Sequence, residues 1–186
     1  GCPSTTEITG RYQDFSGINP AVLEAAAERG TLFHTYAAGY LAGKWMPKPP
    51  AEIAGYFDSF RRWCDLALDA VLTVEQELTC DCPGYGYCGH VDAVIVMRGD
   101  RTATLVDWKT PIAENRKAWT LQVAGGYWHL IERHGGLKID LARCGAVQVR
   151  KDGKPAVMRP YEGSVLEAQA VFFSALQVHK YFDGGE

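Results

Sequence analysis

The sequence has no apolar run approaching the ~20 residues needed to span a bilayer, and its amino terminus lacks the basic, apolar, small-residue order of a secretory signal. It also lacks internal repeats, low-complexity tracts and blocks of one charge, which excludes solenoids and tails and leaves one domain over residues 1–186. The formal net charge is only -3, so bulk attraction alone would not coat nucleic acid, although a local basic groove is compatible with it. The six cysteines, Cys2, Cys64, Cys80, Cys82, Cys88 and Cys144, are too unevenly spaced for a secreted disulfide framework. Together these absences lead us to expect a soluble, cytoplasmic protein with reduced thiols. Gly1 is compatible with a tag or processing scar, so neither it nor Cys2 carries weight.

What is present suits a folded core: 47% hydrophobic and 22% charged residues in a chain of one-domain length. "SGINP" offers Asn19 as a cap and Pro20 for the first turn of a helix reaching about residue 41, which would carry His34. "KWMPKPP" breaks that helix, and apolar residues at three- and four-residue spacing predict a second over 51–70. Strand-like runs follow at 71–78, 89–97 and 102–108, with a turn at Arg98-Gly99-Asp100. A helix over 114–136 closes at Gly135-Gly136, and two more strands, at 144–151 and 155–161, precede a last helix over 163–181. The order predicts an α/β (α+β) fold with a mixed central sheet flanked by helices.

In "CDCPGYGYCGH", Cys80, Cys82, Cys88 and His90 offer four soft ligands that zinc could use. The spacing matches structural zinc sites poorly, and the Pro-Gly and Tyr-Gly-Tyr content reads as a hairpin turn between two strands. Both readings stand at this level, with the hairpin favoured.

The densest chemistry is in "LVDWKT". On a strand, Asp107 and Lys109 project to one face while Val106 and Trp108 point into the core. A turn centred between Gly99 and Asp100 sets Asp92 opposite Asp107, and two facing aspartates repel unless a cation joins them. Hard carboxylate oxygens suit magnesium or manganese, which polarise a phosphate and lower the pKa of an attacking water, with Lys109 to orient that water or neutralise developing charge. Taken alone, an Asp-x-Lys pair is more often a surface salt bridge.

"GHVDAV", then "LVDWKT", then a helix containing "LQVAGGY" resembles the PD-(D/E)XK nuclease superfamily, specifically the RecB-like exonuclease branch that includes RecE-type phage recombination nucleases. "RGTLFH" is similar to that branch's early helix motif. The resemblance runs from about residue 17 to 131 and implies a restriction-endonuclease-like core. It implies Asp92 and Asp107 as metal ligands, Lys109 as the catalytic lysine, His34 as a further ligand, the Trp108 carbonyl completing the shell, and Gln122 as the helix glutamine. A site acid one strand earlier would be Glu75, or Glu77 on the same side. Related nucleases have Gln-x-x-x-Tyr, whereas here the tyrosine comes fifth, as Tyr127. On a regular helix this turns it by about 100° from the expected face. Either Gly125 and Gly126 permit a bulge that restores it, or its contact with DNA is lost.

The activity implied is a Mg2+- or Mn2+-dependent, sequence-independent DNA exonuclease of recombination or repair. The resemblance also implies a phage-encoded protein, and so one in the host cytoplasm, with a single-strand annealing protein as a candidate partner. Some relatives hold an iron-sulfur cluster, but after the motif this chain offers only Cys144, so no cluster is expected. Arg61, Arg62, Arg116 and Lys117 are paired basic residues available to phosphates, or ordinary helix surface. The alternatives are a structure-specific or restriction-type endonuclease on the same fold, and a non-catalytic DNA-binding module.

Overall fold

Helix starts in this chain follow local capping chemistry. In the computed structural model, which describes residues 2–110 and 116–183, the first helix is α1 (Thr5–Gly10), a segment to which the sequence reading assigned nothing. Its cause is a capping box: the Glu7 N–H donates to Ser4 Oγ, and the Ser4 N–H to the Glu7 carboxylate at 2.7 Å. Asn19 caps α2 (Pro20–Leu41) by accepting the Ala21 N–H at 2.9 Å. Helix α3 (Ala51–Ala67) ends three residues before the expected 70. Leu68 is already extended there and pairs with Met97, so the sheet ladder overrides the helical tendency of the next residues.

Three strands form an antiparallel meander: β1 (Leu68–Cys80), β2 (Tyr87–Met97) and β3 (Ala103–Lys109). The "CDCPGYGYCGH" stretch is the first hairpin of that meander, closing with Cys80 opposite Tyr87. A helical crossover brings β4 (Leu141–Gln148) parallel to β3, and β5 (Val157–Pro160) pairs antiparallel to β4. The result is a five-stranded mixed sheet in the order β1-β2-β3-β4-β5, flanked by helices.

Alternation along the strands divides the core in two. Ala93, Ile95, Val106 and Trp108 pack under α2 and α3 against Phe33, Phe57, Phe60 and Trp63. Val94, Leu105, Cys144 and Ala146 face the crossover and the last helix, α6 (Val165–Asp183), against Val123, Leu130, Ile131, Phe172 and Leu176. Val106 and Trp108 thus bury on one side while Asp107 and Lys109 follow Leu105 to the other, as the pleat requires. Trp108 is buried, as the strand alternation predicted, and Trp119 and Trp128 are core residues as well.

The crossover helix is continuous in sequence but not regular. It runs as α4 (Arg116–Thr120), a π-helical segment over Leu121–Tyr127, and α5 (Trp128–His134). Gly126 sits at its tightest contact: a Cβ there would lie 2.5 Å from Thr5 Cγ2 and 2.9 Å from the Phe172 ring. Only a bare backbone lets α1, the π segment and α6 meet at that depth.

Candidate active site

The register places three acids in a row across three strands. Val74 pairs with Ala93 and Gln76 with Val91, which leaves Glu75 opposite Asp92. On the other side the β2–β3 ladder ends at Ala93 and Val106, so the next step sets Asp92 opposite Asp107, as the turn-centre argument expected. Neither acid pair continues the ladder. Instead Asp92 Oδ2 accepts the Trp108 N–H at 2.7 Å, and Glu75 adopts a left-handed backbone with φ 48° in the middle of a strand. That conformation is unfavourable for a residue with a Cβ and aims the Glu75 side chain out of its pleat direction.

Adjacent carboxylates repel, and basic side chains from three elements face them. His34, on α2, stands with Nδ1 3.2 Å from Asp92 Oδ1 and Nε2 3.2 Å from the Trp108 carbonyl oxygen. Lys109 Nζ lies 2.6 Å from Asp107 Oδ2, and His90 Nε2 lies 2.6 Å from Glu75 Oε2. His90, one of the four soft residues of the hairpin stretch, therefore faces the acids, while Cys88 donates to the backbone oxygens of Cys2 and Pro3.

Protonation follows from these contacts. Burial opposes charge on His34, but the Asp92 carboxylate outweighs it and lifts the imidazole to about 9. Burial likewise opposes charge on Asp92, yet His34, Lys109 and the Trp108 N–H hold its carboxyl below the ordinary range. Lys109 is pulled down by burial and raised above its usual value by Asp107, so the pair is an ammonium–carboxylate ion pair, even though burial and Asp92 push the Asp107 carboxyl up. Burial and the Asp92 charge also push Glu75 up. Two of the three acids thus lack enough positive charge around them.

The groove floored by these groups encloses about 940 Å³. Gln122 and Tyr127 form its opposite wall, and the π-helical segment is what unites them. In α geometry the fifth residue along points away, whereas i→i+5 bonding brings it back over the first. Gln122 Nε2 donates to the Tyr127 hydroxyl at 2.7 Å and to Thr6 Oγ1 at 3.3 Å. The bulge allowed by the two glycines is therefore the alternative that the fold adopts.

The structure brings His34, Glu75, Asp92, Asp107, Lys109, Gln122 and Tyr127 to one groove. Of the two candidate acids on β1, Glu75 lines it, while Glu77 is exposed and pairs across from His90 at the strand level only. Arg61 and Arg62 lie on the exposed face of α3 and do not line the groove, and Lys117 lines a separate depression beside α6. The Arg116 side chain, like Pro111 after the motif, falls outside the described residues. Thr6 and His90 were missed as site residues. The "STTE" capping box would have revealed the helix that carries Thr6, and the two-residue spacing of His90 from Asp92 marked it as a strand neighbour.

A metal was the expectation for this site, and the donor set fits one. Among the described residues, one ligand atom each from His34, Glu75 and Asp92 lie within 4.8 Å of one another. Glu75 Oε1 is buried and has no hydrogen-bond partner, an oxygen positioned to bind a cation. Asp107 is not in that trio; its Oδ2 is paired with Lys109 Nζ at 2.6 Å. Among the described residues no helix is long and apolar enough to cross a membrane. No family model and no curated protein sequence compared with the chain matches it.

Proposed function

We propose that the protein is a divalent-metal-dependent deoxyribonuclease, an exonuclease that hydrolyses phosphodiester bonds at DNA ends without sequence preference. The observation that carries this reading is the row Glu75, Asp92, Asp107 across adjacent strands, with His34 on the middle acid, Lys109 on Asp107 and a groove above them. We read the meander, helical crossover and parallel fourth strand as a restriction-endonuclease-like core, and the motifs "GHVDAV", "LVDWKT" and "RGTLFH" as those of a RecB-like PD-(D/E)XK nuclease.

His34, Glu75, Asp92 and the Trp108 carbonyl are the groups that would hold the ion, with Asp107 joining when Lys109 yields it. The mixed nitrogen and oxygen donors suit manganese as well as magnesium. A bound divalent ion would supply charge to the phosphate and acidity to an attacking water.

The chain's own residues do the rest. Asp92 is held in place by the Trp108 N–H and His34, so its geometry is set before substrate arrives. Lys109, kept protonated by Asp107 and partly exposed to the groove, can donate to the attacking water or to a phosphate oxygen as negative charge builds. The water oxygen forms the new bond to phosphorus and gives up a proton to solvent, the bond to the leaving sugar oxygen breaks, and that oxygen takes up a proton from solvent in turn. Gln122, clamped by Thr6 and Tyr127, offers a fixed polar group to the nucleic-acid backbone.

The test is incubation with end-labelled linear duplex, linear single strand and closed circular DNA, each with Mg2+, Mn2+ or chelator, beside Lys109→Ala and Asp92→Asn. Metal-dependent loss of linear DNA only, absent in both variants, is the expected result. Nicking of the closed circle would reassign the protein as an endonuclease on the same fold. Full activity in a pure Lys109→Ala sample would end the nuclease reading.

A further inference from the structure

We infer that Trp45 is a stacking platform for unpaired bases, so that the groove takes the single-stranded end of a DNA strand in preference to a blunt duplex. This inference rests on the nuclease reading for the location of the reacting phosphate, but its physical basis is separate. Trp45 is 86% exposed, whereas Trp63, Trp108, Trp119 and Trp128 are all under 9% exposed. Isolated exposed apolar residues are common on protein surfaces and by themselves signify little. Three features make this one different.

The first is rigidity. Gly43, at φ 64°, terminates α2 in the left-handed conformation, with its N–H bonded to the Tyr40 carbonyl at 3.0 Å and the Lys44 N–H bonded to the Gly39 carbonyl at 2.9 Å. One residue beyond Trp45, the Met46 side chain packs into the space that Gly39 leaves by lacking a Cβ and joins the core under α2 and α3. Pro47, Pro49 and Pro50 then fix the backbone that leads into α3. The backbone at Trp45 is thus held between two anchored neighbours, which lowers the ordering cost that accompanies stacking.

The second feature is position. Lys44 and Met46, the residues on either side of Trp45, line the same groove as His34, Asp92, Asp107 and Lys109. The third is charge: Lys44 and Lys48, both exposed, flank the indole with ammonium groups suited to the phosphates on either side of a stacked base. An exposed aromatic face between cations at the rim of a groove is the chemistry that grips single strands, because every base has a π-face and sequence then matters little. A blunt duplex keeps its bases stacked on one another and offers the indole nothing equivalent.

The experiment uses the native protein in excess chelator, so that binding is read without cleavage, with oligo-dT, blunt duplex and duplex bearing an unpaired overhang as probes. Because the other four tryptophans are buried, the solvent-exposed part of the emission reports Trp45. Oligo-dT and the overhang should quench that component, and Trp45→Ala should bind both about ten- to a hundredfold more weakly while binding blunt duplex unchanged. Trp45→Phe should recover most of the loss. Saturable binding of oligo-dT with no change in the exposed emission, or binding of oligo-dT and the overhang by Trp45→Ala as tightly as by the native protein, would overturn the inference. So would burial of the indole in a self-associated form without DNA. Cleavage assays with metal on the same preparation separate the two claims: cleavage without quenching removes the platform and leaves the nuclease, and quenching without cleavage does the reverse.

Discussion

The backbone of Glu75 offers the sharpest test of how the site is built. Its φ of 48° lies in the left-handed region, where a Cβ costs about 1–2 kcal/mol. Replacing Glu75 by Ala removes the carboxylate but keeps the Cβ and its strain. Replacing it by Gly removes both, at a cost of about 0.5–1 kcal/mol in extra chain entropy of the unfolded state. Gly at this position should therefore be more stable than Ala by roughly 0.5–1 kcal/mol, the reverse of the order found at an ordinary strand position.

Both variants should also gain from losing the acid. Burial and the Asp92 charge raise the Glu75 carboxyl above its ordinary value, so its ionised form opposes folding at neutral pH. The His90 contact they lose is half-exposed and small in effect. Urea denaturation in chelator, followed by far-UV circular dichroism, would read the comparison. For a slope near 2 kcal/mol/M the expected difference between Gly and Ala is about 0.3–0.5 M in midpoint at equal slope. An Ala variant more stable than the Gly variant by about 0.5–1 kcal/mol, the ordinary order, would show that Glu75 carries no strain, and the claim that the fold holds this acid against its preference would fall.

Other consequences follow from the same geometry. Tyr127→Phe deletes the hydroxyl that Gln122 Nε2 bonds at 2.7 Å and should cost about 1 kcal/mol of stability, with a double-mutant cycle against Gln122→Leu showing coupling of similar size. Gly126→Ala would press a Cβ against Thr5 and Phe172 and should destabilise by about 1–3 kcal/mol, while the same change at Gly10, where a Cβ would meet nothing within 4 Å, should be nearly silent; thermal melts of the two would tell. Burial lifts the Cys64 and Cys144 thiols to about 12, so at pH 8.5 iodoacetamide should modify exposed Cys82 first and these two roughly a thousandfold more slowly until the protein is unfolded, as peptide mass mapping would show.

Much of this arrangement was legible in the sequence because two periodicities carried it. The period of two along "LVDWKT" sorted Val106 and Trp108 from Asp107 and Lys109, and the turn at Arg98-Gly99-Asp100 fixed the register that aligns Asp92 with Asp107. Asn19 and Pro20 marked the start of the helix that carries His34. Legibility failed where a residue's role depends on tertiary contacts. Arg61 and Arg62 look like a phosphate clamp as a pair, but the apolar stripe of Tyr56, Phe57, Phe60 and Trp63 decides which face of α3 is buried and turns both arginines away from the groove. Choosing Glu75 over Glu77 was equally out of reach, since both alternate to one side until the backbone of Glu75 breaks the pleat.

The π-helical segment shows how such a break can be encoded without a local signal. Nothing in "LQVAGGY" prefers i→i+5 bonding, and glycine there argues only against a helix. What selects the wider turn is its surroundings. Gly125 and Gly126 permit Phe172, the Ala168 carbonyl and Thr5 to approach closer than any Cβ would allow. Tyr87 fastens the segment by donating its hydroxyl to the Gly126 carbonyl at 2.9 Å, and Tyr127 closes on Gln122 from within. The extra residue is thus accommodated by contacts from α1, β2 and α6 together, and its effect is to return a tyrosine to the wall of a groove that sequence spacing alone had turned it from. A strained glutamate on β1 and a widened turn in the crossover are both departures from regular structure, and both point side chains at the same few ångströms of space above Asp92. Irregularities converging in this way from a strand of the sheet and from the helix packed on it are better explained by a site that needs them than by packing, which would be satisfied by regular elements.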